Sequence, residues 1–226
     1  GSRLDGGDGR GDLLTVNPPF SGLPGSGPGS PFIGAVLTGG ASRRMGRDKA
    51  LLELDGRAMA VTVARTLLAA GASEVVAVGG DAEGLSAAGL IVVSDRYPGE
   101  GPLGGIVTAL EHFAPWHLPV MVLACDLPRA SAVNVAATVS AVPASPNGAP
   151  VVAVPLEAER RQWMHACWTP ESGSLLAAAF SAGERATWRA AEASIASGLR
   201  IVEVSGLLSA GFRDVDQPGD LGAGDR

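Results

Sequence analysis

Phe32-Ile-Gly-Ala-Val-Leu37, running directly into Thr38-Gly-Gly-Ala-Ser-Arg-Arg-Met-Gly-Arg-Asp-Lys49, is the stretch on which the fold turns. Its first six residues form an apolar run of strand length that stops at Thr38-Gly39-Gly40. With no polar residue alternating through it, the run reads as a strand covered on both faces, as in a parallel sheet. Comparable runs lie at Glu74–Val78, Leu90–Val93 and Val120–Ala124. Helix-like stretches separate them at about Ala58–Ala70, Pro102–Phe113 and Ala132–Ser140. Pro102 suits the first helical turn, where its missing N–H costs nothing. The alternation predicts right-handed βαβ units and a three-layer α/β domain, a parallel sheet with helices on both faces.

Beyond Pro143 the rhythm loosens. Val151–Val154 and Gln162–Trp168 read as a strand pair joined by a charged loop, Glu157–Arg161. Helices are expected at about Glu171–Phe180 and Glu184–Ala196, then a strand at Leu199–Val204, all extending the same sheet. Residues 1–31 carry nine Gly and five Pro. Such a segment buries too little apolar surface to offset its ordering entropy, so a disordered leader is expected there and one domain over 32–226.

The chain has 226 residues, 46% hydrophobic and 18% charged, with a net charge of −6. An acidic balance argues against general nucleic-acid binding. No apolar run approaches the roughly 20 residues that span a bilayer, and no secretory pattern opens the chain. Cys125 and Cys167 lie far apart without metal-ligand spacing, which argues against a structural zinc site and a disulfide framework. A cytoplasmic protein with neither nucleic-acid nor membrane partners is expected. Of the 17 Lys and Arg only Lys49 is a lysine, and it falls in the densest basic cluster, with Arg43, Arg44 and Arg47.

In an open parallel sheet, ligands bind outside the carboxyl ends of the strands. Three expected strands end in residues suited to phosphate chemistry: Thr38-Gly39-Gly40, Ser94-Asp95 and Cys125-Asp126. The first loop has the spacing of neither G-x-G-x-x-G nor G-x-x-x-x-G-K-[ST]. Adjacent glycines still let backbone N–H groups approach phosphate, with Arg43 as a forked donor and Lys49 as a point charge. Read alone, the loop fits a tight turn beside a solvated basic patch equally well.

Asp95 and Asp126 are candidates for Mg²⁺, which is held by one or two carboxylates plus water and phosphate oxygens. Capping a turn or helix is the commoner fate of Asp at a strand end and is the favoured reading for Asp95; Asp126, delivered directly by an apolar run with Pro128 fixing the turn after it, is the stronger metal candidate. Asp95-Arg-Tyr-Pro-Gly-Glu-Gly-Pro-Leu-Gly-Gly105 is a second glycine-rich loop entering a helix, so Gly101, Pro102, Leu103 and Gly104 form a candidate ligand loop. Two glycines in a first helical turn cost about 1 kcal/mol each relative to Ala, a cost that close approach of a ligand would explain. His112, His117 and His165 show no ligand spacing and no Ser-His-Asp order is legible; Trp163 and Trp168 read as core or pocket wall.

Taken together these residues resemble a known family. Leu37-Thr-Gly-Gly-Ala-Ser-Arg-Arg-Met-Gly-Arg-Asp-Lys49 is similar to the L-A-G-G-x-S-x-R-M-G-x-D-K signature of the molybdenum cofactor guanylyltransferases, the MobA-type enzymes. Gly101-Pro-Leu-Gly-Gly-Ile106 resembles their G-P-L-A-G loop, and Ala124-Cys-Asp-Leu-Pro128 their C-D-x-P element. Asp214-Val-Asp-Gln-Pro-Gly-Asp-Leu221 resembles their N-x-N-T-P-E-D-L. The resemblance implies a three-layer, Rossmann-like nucleotidyltransferase domain with a mainly parallel sheet that moves GMP from GTP onto molybdopterin, with Mg²⁺, and releases pyrophosphate. It implies nucleotide contacts from Leu37, Thr38, Gly39, Gly40, Lys49, Asp95 and Asp126, and a metal contact from Asp126. Arg43, Lys49 and Asp126 would carry the catalysis. Partners implied are the two substrates, with molybdenum-insertion proteins or apo-molybdoenzymes beside them.

The chain departs from the family at Gly79-Gly80, where relatives carry Asn, at Asp216, Gln217 and Gly219 in the late motif, and at Gln162-Trp-Met-His165, which lacks a His-Pro pair. Open alternatives are a cytidylyltransferase of the same cofactor, another small-molecule nucleotidyltransferase, or a non-catalytic nucleotide-binding homologue. The glycine spacing argues against a dinucleotide-binding oxidoreductase.

Overall fold

The apolar run that opens the domain becomes a central strand in the computed structural model, which describes residues 31–39, 48–143 and 148–214. The elements follow in chain order. They are β1 (Ile33–Leu37), β2 (Glu53–Leu54), β3 (Arg57–Ala58), α1 (Met59–Ala69), β4 (Glu74–Val78), α2 (Ala82–Ala87), β5 (Ile91–Val93) and α3 (Pro102–Phe113). Next come β6 (Val120–Ala124), α4 (Ala132–Ser140), β7 (Val151–Glu157), β8 (Arg160–Arg161), β9 (His165–Trp168), α5 (Ser172–Ser181), α6 (Thr187–Ser194) and β10 (Arg200–Val204). The main sheet runs β10-β7-β9-β6-β1-β4-β5, with β8 paired to β7 alone. Every pairing from β6 through β1 and β4 to β5 is parallel, and only β9 lies antiparallel between β6 and β7. The expected α/β architecture is met. The expected leader lies outside the described residues apart from Pro31.

Alternate residues of each strand face opposite layers, and both are filled. Ile33, Ala35 and Leu37 join Val76, Val78, Val120 and Val122 against the layer of α3, α5 and α6. Val36, Ala77, Met121 and Leu123 join Ala60, Val63, Ala64 and Leu67 of α1 and Val135 and Val139 of α4. The α1 residues fall at helical spacing on one face, so that face is the buried one. Gly34 sets the distance between strand and helix. A Cβ there would stand 3.0 Å from both Leu67 Cδ1 and Val75 Cγ2, so any side chain would push α1 away.

Three details differ from expectation. The segment Glu157–Arg161 is not a plain loop: β7 continues through Glu157 and turns back as β8, pairing Glu157 with Arg160. Its two turn residues, Ala158 and Glu159, have φ 45° and 63°, the left-handed geometry that matches a two-residue hairpin to strand twist. The helix expected from Glu184 starts only at Thr187, because the Glu184 carboxylate accepts the N–H groups of Arg185 and Ala186 and holds that turn outside the helix. Two short elements, the β2–β3 hairpin and α2, were not expected at all.

Past β10 the chain crosses back over the α4 layer, where Leu208 exchanges hydrogen bonds with the Asn134 side chain. It then lays Phe212 edge-on against His165, ring centroids 5.1 Å apart. His165 is fully buried, and among the described residues neither ring nitrogen has a hydrogen-bond partner. Burial therefore favours neutral imidazole and pushes its pKa down to about 4. In the unfolded chain the same group takes up its proton near pH 6.5. Between those values the unfolded state binds more protons, so stability falls as pH falls, by roughly 2 kcal/mol from pH 6.5 to 5 at 1.36 kcal/mol per unit. Urea midpoints measured across that range are expected to decline in the wild type and to decline less in His165→Leu. Parallel slopes for the two proteins would remove His165 as the cause.

Candidate active site

Because β6, β1, β4 and β5 are parallel, their carboxyl ends share one edge of the sheet, and a cleft of about 1090 Å³ opens there. Leu37, Thr38 and Gly39 line it from β1, Gly79 and Gly80 from β4, Ser94 and Asp95 from β5, and Cys125 and Asp126 from β6. The three polar strand ends singled out in the sequence therefore do converge.

The end of β1 is welded to the end of β4. The N–H groups of Thr38 and Gly39 both donate to the Val78 carbonyl, at 3.1 and 3.0 Å. The Thr38 hydroxyl contacts the Val78 and Gly79 carbonyls at 3.0 and 2.8 Å. The amide of Gly39 is thus committed within the sheet and not presented to a ligand, contrary to the phosphate-cradle expectation at that residue. The absent side chain matters instead: a Cβ on Gly39 would stand 3.4 Å from Asp95 Oδ2, and one on Gly79 3.1 Å from Asp95 Cβ. The two glycines form a low floor beneath that carboxylate. Gly40 and Arg43 lie outside the described residues.

Lys49 re-enters the cleft from a short 3-10 turn, Lys49–Leu51, which Asp48 caps by accepting the Ala50 N–H at 3.0 Å. The other Asp48 oxygen accepts the Asp81 N–H at 2.8 Å, tying this turn to the loop after β4. From there Lys49 Nζ reaches Asp126 Oδ2 at 3.1 Å. Asp126 is separated from β6 only by Cys125, on a turn closed by the Leu127 N–H donating to the Ala124 carbonyl. Their side chains are 15% and 30% exposed, so the pair adds little stability and its value is positional.

Between them, Cys125 is held by its N–H on the Leu37 carbonyl. Burial first, and then the negative charges of Asp126 and Asp48, push its thiol up to about 12. Burial alone raises Cys167. Neither supplies a thiolate nucleophile near neutral pH.

The second glycine loop is only partly part of this cleft. Pro102 lines it at the first position of α3. Leu103 is instead fully buried in the core. A Cβ on Gly104 would come within 2.9 Å of Tyr97 Cβ, and one on Gly105 within 3.2 Å of Leu37 Cδ2. The two glycines answer to the protein's own packing, drawing the first turn of α3 onto its preceding loop and onto β1, and no ligand is needed to explain them. Gly101 has φ 85°, with the Arg185 carbonyl 3.8 Å from its Cβ position.

Other lining residues were missed in the sequence: Asp48, Asp81, Ala82, Pro98, Gly99 and Met164. Asp81 was accessible by the rule applied to the other strand ends, since β4 also ends in a turn on this edge. Met164 was not, because its position depends on β9 pairing with β6 and therefore beginning where β6 ends.

Among the described residues no group of three or more His, Cys, Asp and Glu could enclose a metal ion. A single, partly exposed carboxylate at Asp126 fits a hard cation that takes its remaining ligands from water and phosphate oxygens, as Mg²⁺ does, and does not fit a zinc cage. Among the same residues no helix is long and apolar enough to cross a membrane.

Comparison with known proteins agrees with this geometry. A probable molybdenum cofactor guanylyltransferase of Opitutus terrae is 43% identical over 107 residues, covering 46% of this chain and 52% of the relative. A molybdenum cofactor guanylyltransferase of Xanthomonas euvesicatoria is 39% identical over 102 residues, covering 45% and 50%. The chain thus spans about half the length of the curated relatives it matches. The crystal structure of molybdopterin-guanine dinucleotide biosynthesis protein A from Archaeoglobus fulgidus superposes with a TM-score of 0.62 at 22% identity, covering 84% of this chain and 95% of that one, which establishes the shared fold. The family model described as the MobA-like NTP transferase domain matches residues 34–197, well over half of the sequence. The chain therefore belongs to the MobA-like NTP transferase family, as its motifs led us to expect.

Proposed function

We propose that this protein transfers GMP from GTP to the terminal phosphate of molybdopterin and releases pyrophosphate. The observation that carries this reading is the Lys49–Asp126 pair, seated at 3.1 Å on the edge where β1, β4 and β5 also end. A cation and a carboxylate so placed suit a triphosphate accompanied by a divalent ion, and the names of the curated relatives supply the guanine and the molybdenum cofactor.

In this reading an oxygen of the acceptor phosphate attacks the α-phosphorus in line. The new O–P bond forms as the bond from the α-phosphorus to the bridging oxygen breaks, and pyrophosphate leaves with that electron pair. Such transfers depend mainly on positioning and charge neutralisation. Lys49 offers a point charge to the phosphates, and Asp126 holds it within reach of them. Arg43 is assigned a second phosphate contact on its sequence position. Asp126 would also hold Mg²⁺, which when bound would neutralise phosphate charge. Asp95, an acceptor only when ionised, is suited to the nucleoside and unsuited to the phosphates. Leu37, Thr38 and Gly39 form the wall and floor beside it, with Gly40 following them in sequence. Pro102 borders the cleft where the acceptor would enter. No covalent intermediate is required, consistent with the suppressed thiol at Cys125.

Calorimetry with Mg²⁺ is expected to rank GTP above CTP and ATP. Tighter CTP binding would replace guanine by cytosine, and absence of binding by all three would overturn the nucleotidyltransferase reading. Asp126→Asn is expected to abolish pyrophosphate release from GTP and acceptor while shifting the unfolding free energy by less than about 1 kcal/mol, because the pair is partly solvated. Normal turnover by that variant would remove Asp126 from the metal role.

A further inference from the structure

Thr108 lies in α3, out of the cleft and 1% exposed. Its hydroxyl donates to Asp95 Oδ1 at 3.1 Å and accepts the Arg96 N–H at 3.2 Å. The same carboxylate oxygen accepts the Tyr97 N–H at 2.9 Å. Oδ1 is therefore gripped from two sides, by its own loop and by a helix arriving from elsewhere. Among the described residues no donor reaches Oδ2, the oxygen that overhangs the floor at Gly39. The turn around Asp95 needs only the Tyr97 contact to close. The contact from α3 adds something different, since a second donor on Oδ1 fixes the rotation of the carboxylate about its Cβ–Cγ bond.

The glycines at the start of α3 make this contact possible. Gly104 and Gly105 bring the first helical turn against Tyr97 and Leu37, and Thr108, one turn further along, then stands over Asp95. A side chain at Gly104 would press on Tyr97, whose N–H shares Asp95 Oδ1 with the Thr108 hydroxyl.

We propose that Thr108 is a positioning residue for nucleotide recognition. Its hydroxyl sets the Asp95 carboxylate so that Oδ2 accepts hydrogen bonds from the hydroxyl and N–H donors of the nucleoside. The inference rests on reading the cleft as a nucleoside triphosphate site, because an anionic oxygen placed there repels phosphate and selects the uncharged, donor-bearing end of the ligand. It concerns binding of the ground state, so it makes a demand on affinity and little on the chemical step.

The test compares Thr108→Val, which keeps the shape and removes the donor, with Thr108→Ser, Asp95→Asn and the Thr108→Val/Asp95→Asn double variant. The readouts are the calorimetric Kd for GTP with Mg²⁺, the KM and kcat for GTP, and the thermal midpoint. Thr108→Val is expected to raise Kd and KM about tenfold with kcat within about twofold, the scale of one hydrogen bond to a charged group. Thr108→Ser should restore the wild-type Kd. The double variant should bind no worse than Asp95→Asn alone, because the two changes remove the same interaction. A lowered thermal midpoint with unchanged Kd in Thr108→Val, or additive losses in the double variant, would overturn the proposal and leave the cleft assignment standing. An unchanged Kd in Asp95→Asn would instead overturn the nucleoside role of Asp95, and the proposal with it. Should Thr108→Val fail to fold, Thr108→Ala carries the same expectations.

Discussion

Parallel pairing of β1 with both β4 and β6 is the constraint from which the rest of the molecule follows. A strand hydrogen-bonded on both sides and covered on both faces has nowhere to place a polar side chain, so Ile33–Leu37 must be apolar throughout. Parallel neighbours need crossover connections, and those crossovers become the helices that bury the sheet. They also bring β6, β1, β4 and β5 out at the same edge. Polar residues collect there as each of these strands leaves the buried interior of the sheet, at Thr38, Gly79, Ser94 and Cys125-Asp126.

The edge is then made rigid by local means. Thr38 ties β1 to β4 with side-chain and main-chain contacts, Asp48 ties the next loop to the one after β4, and Cys125 hangs from the Leu37 carbonyl. Glycine does the complementary work. Gly34 sets the α1 layer close, while Gly104 and Gly105 do the same for α3 on the opposite face. The polar groups of the cleft are held by a frame in which strand, loop and helix have little freedom to adjust separately.

Much of this was legible in the sequence, for a physical reason. Buried parallel strands are nearly uniform in composition, so their boundaries are marked by Thr38, Gly79, Ser94 and Cys125. The βαβ rule then places those markers together without further information. Elements lacking such contrast were lost. α2 has six residues with a glycine inside, too short for helical periodicity to emerge, and the β2–β3 hairpin offers only two residues per strand around Asp55-Gly56. The short loop before β9 already marked it as the antiparallel partner of β7, but its pairing with β6 on the other side left no mark in composition, and Met164 was missed for that reason. The glycines of α3 show how a correct observation can have the wrong cause. Their cost in a helix was real, but it is met by packing against Tyr97 and Leu37.

The uneven use of basic residues gains a meaning from where Lys49 ends up. It is the only lysine in the sequence, and its ammonium group reaches Asp126 inside the cleft. Elsewhere the chain's side-chain cations are guanidinium groups, which do not give up a proton near neutral pH. The protein therefore carries a single side-chain primary amine, and that amine belongs to its central cavity. Within these 226 residues, side-chain amine chemistry therefore has one address, and it is the place where the ammonium is held against Asp126.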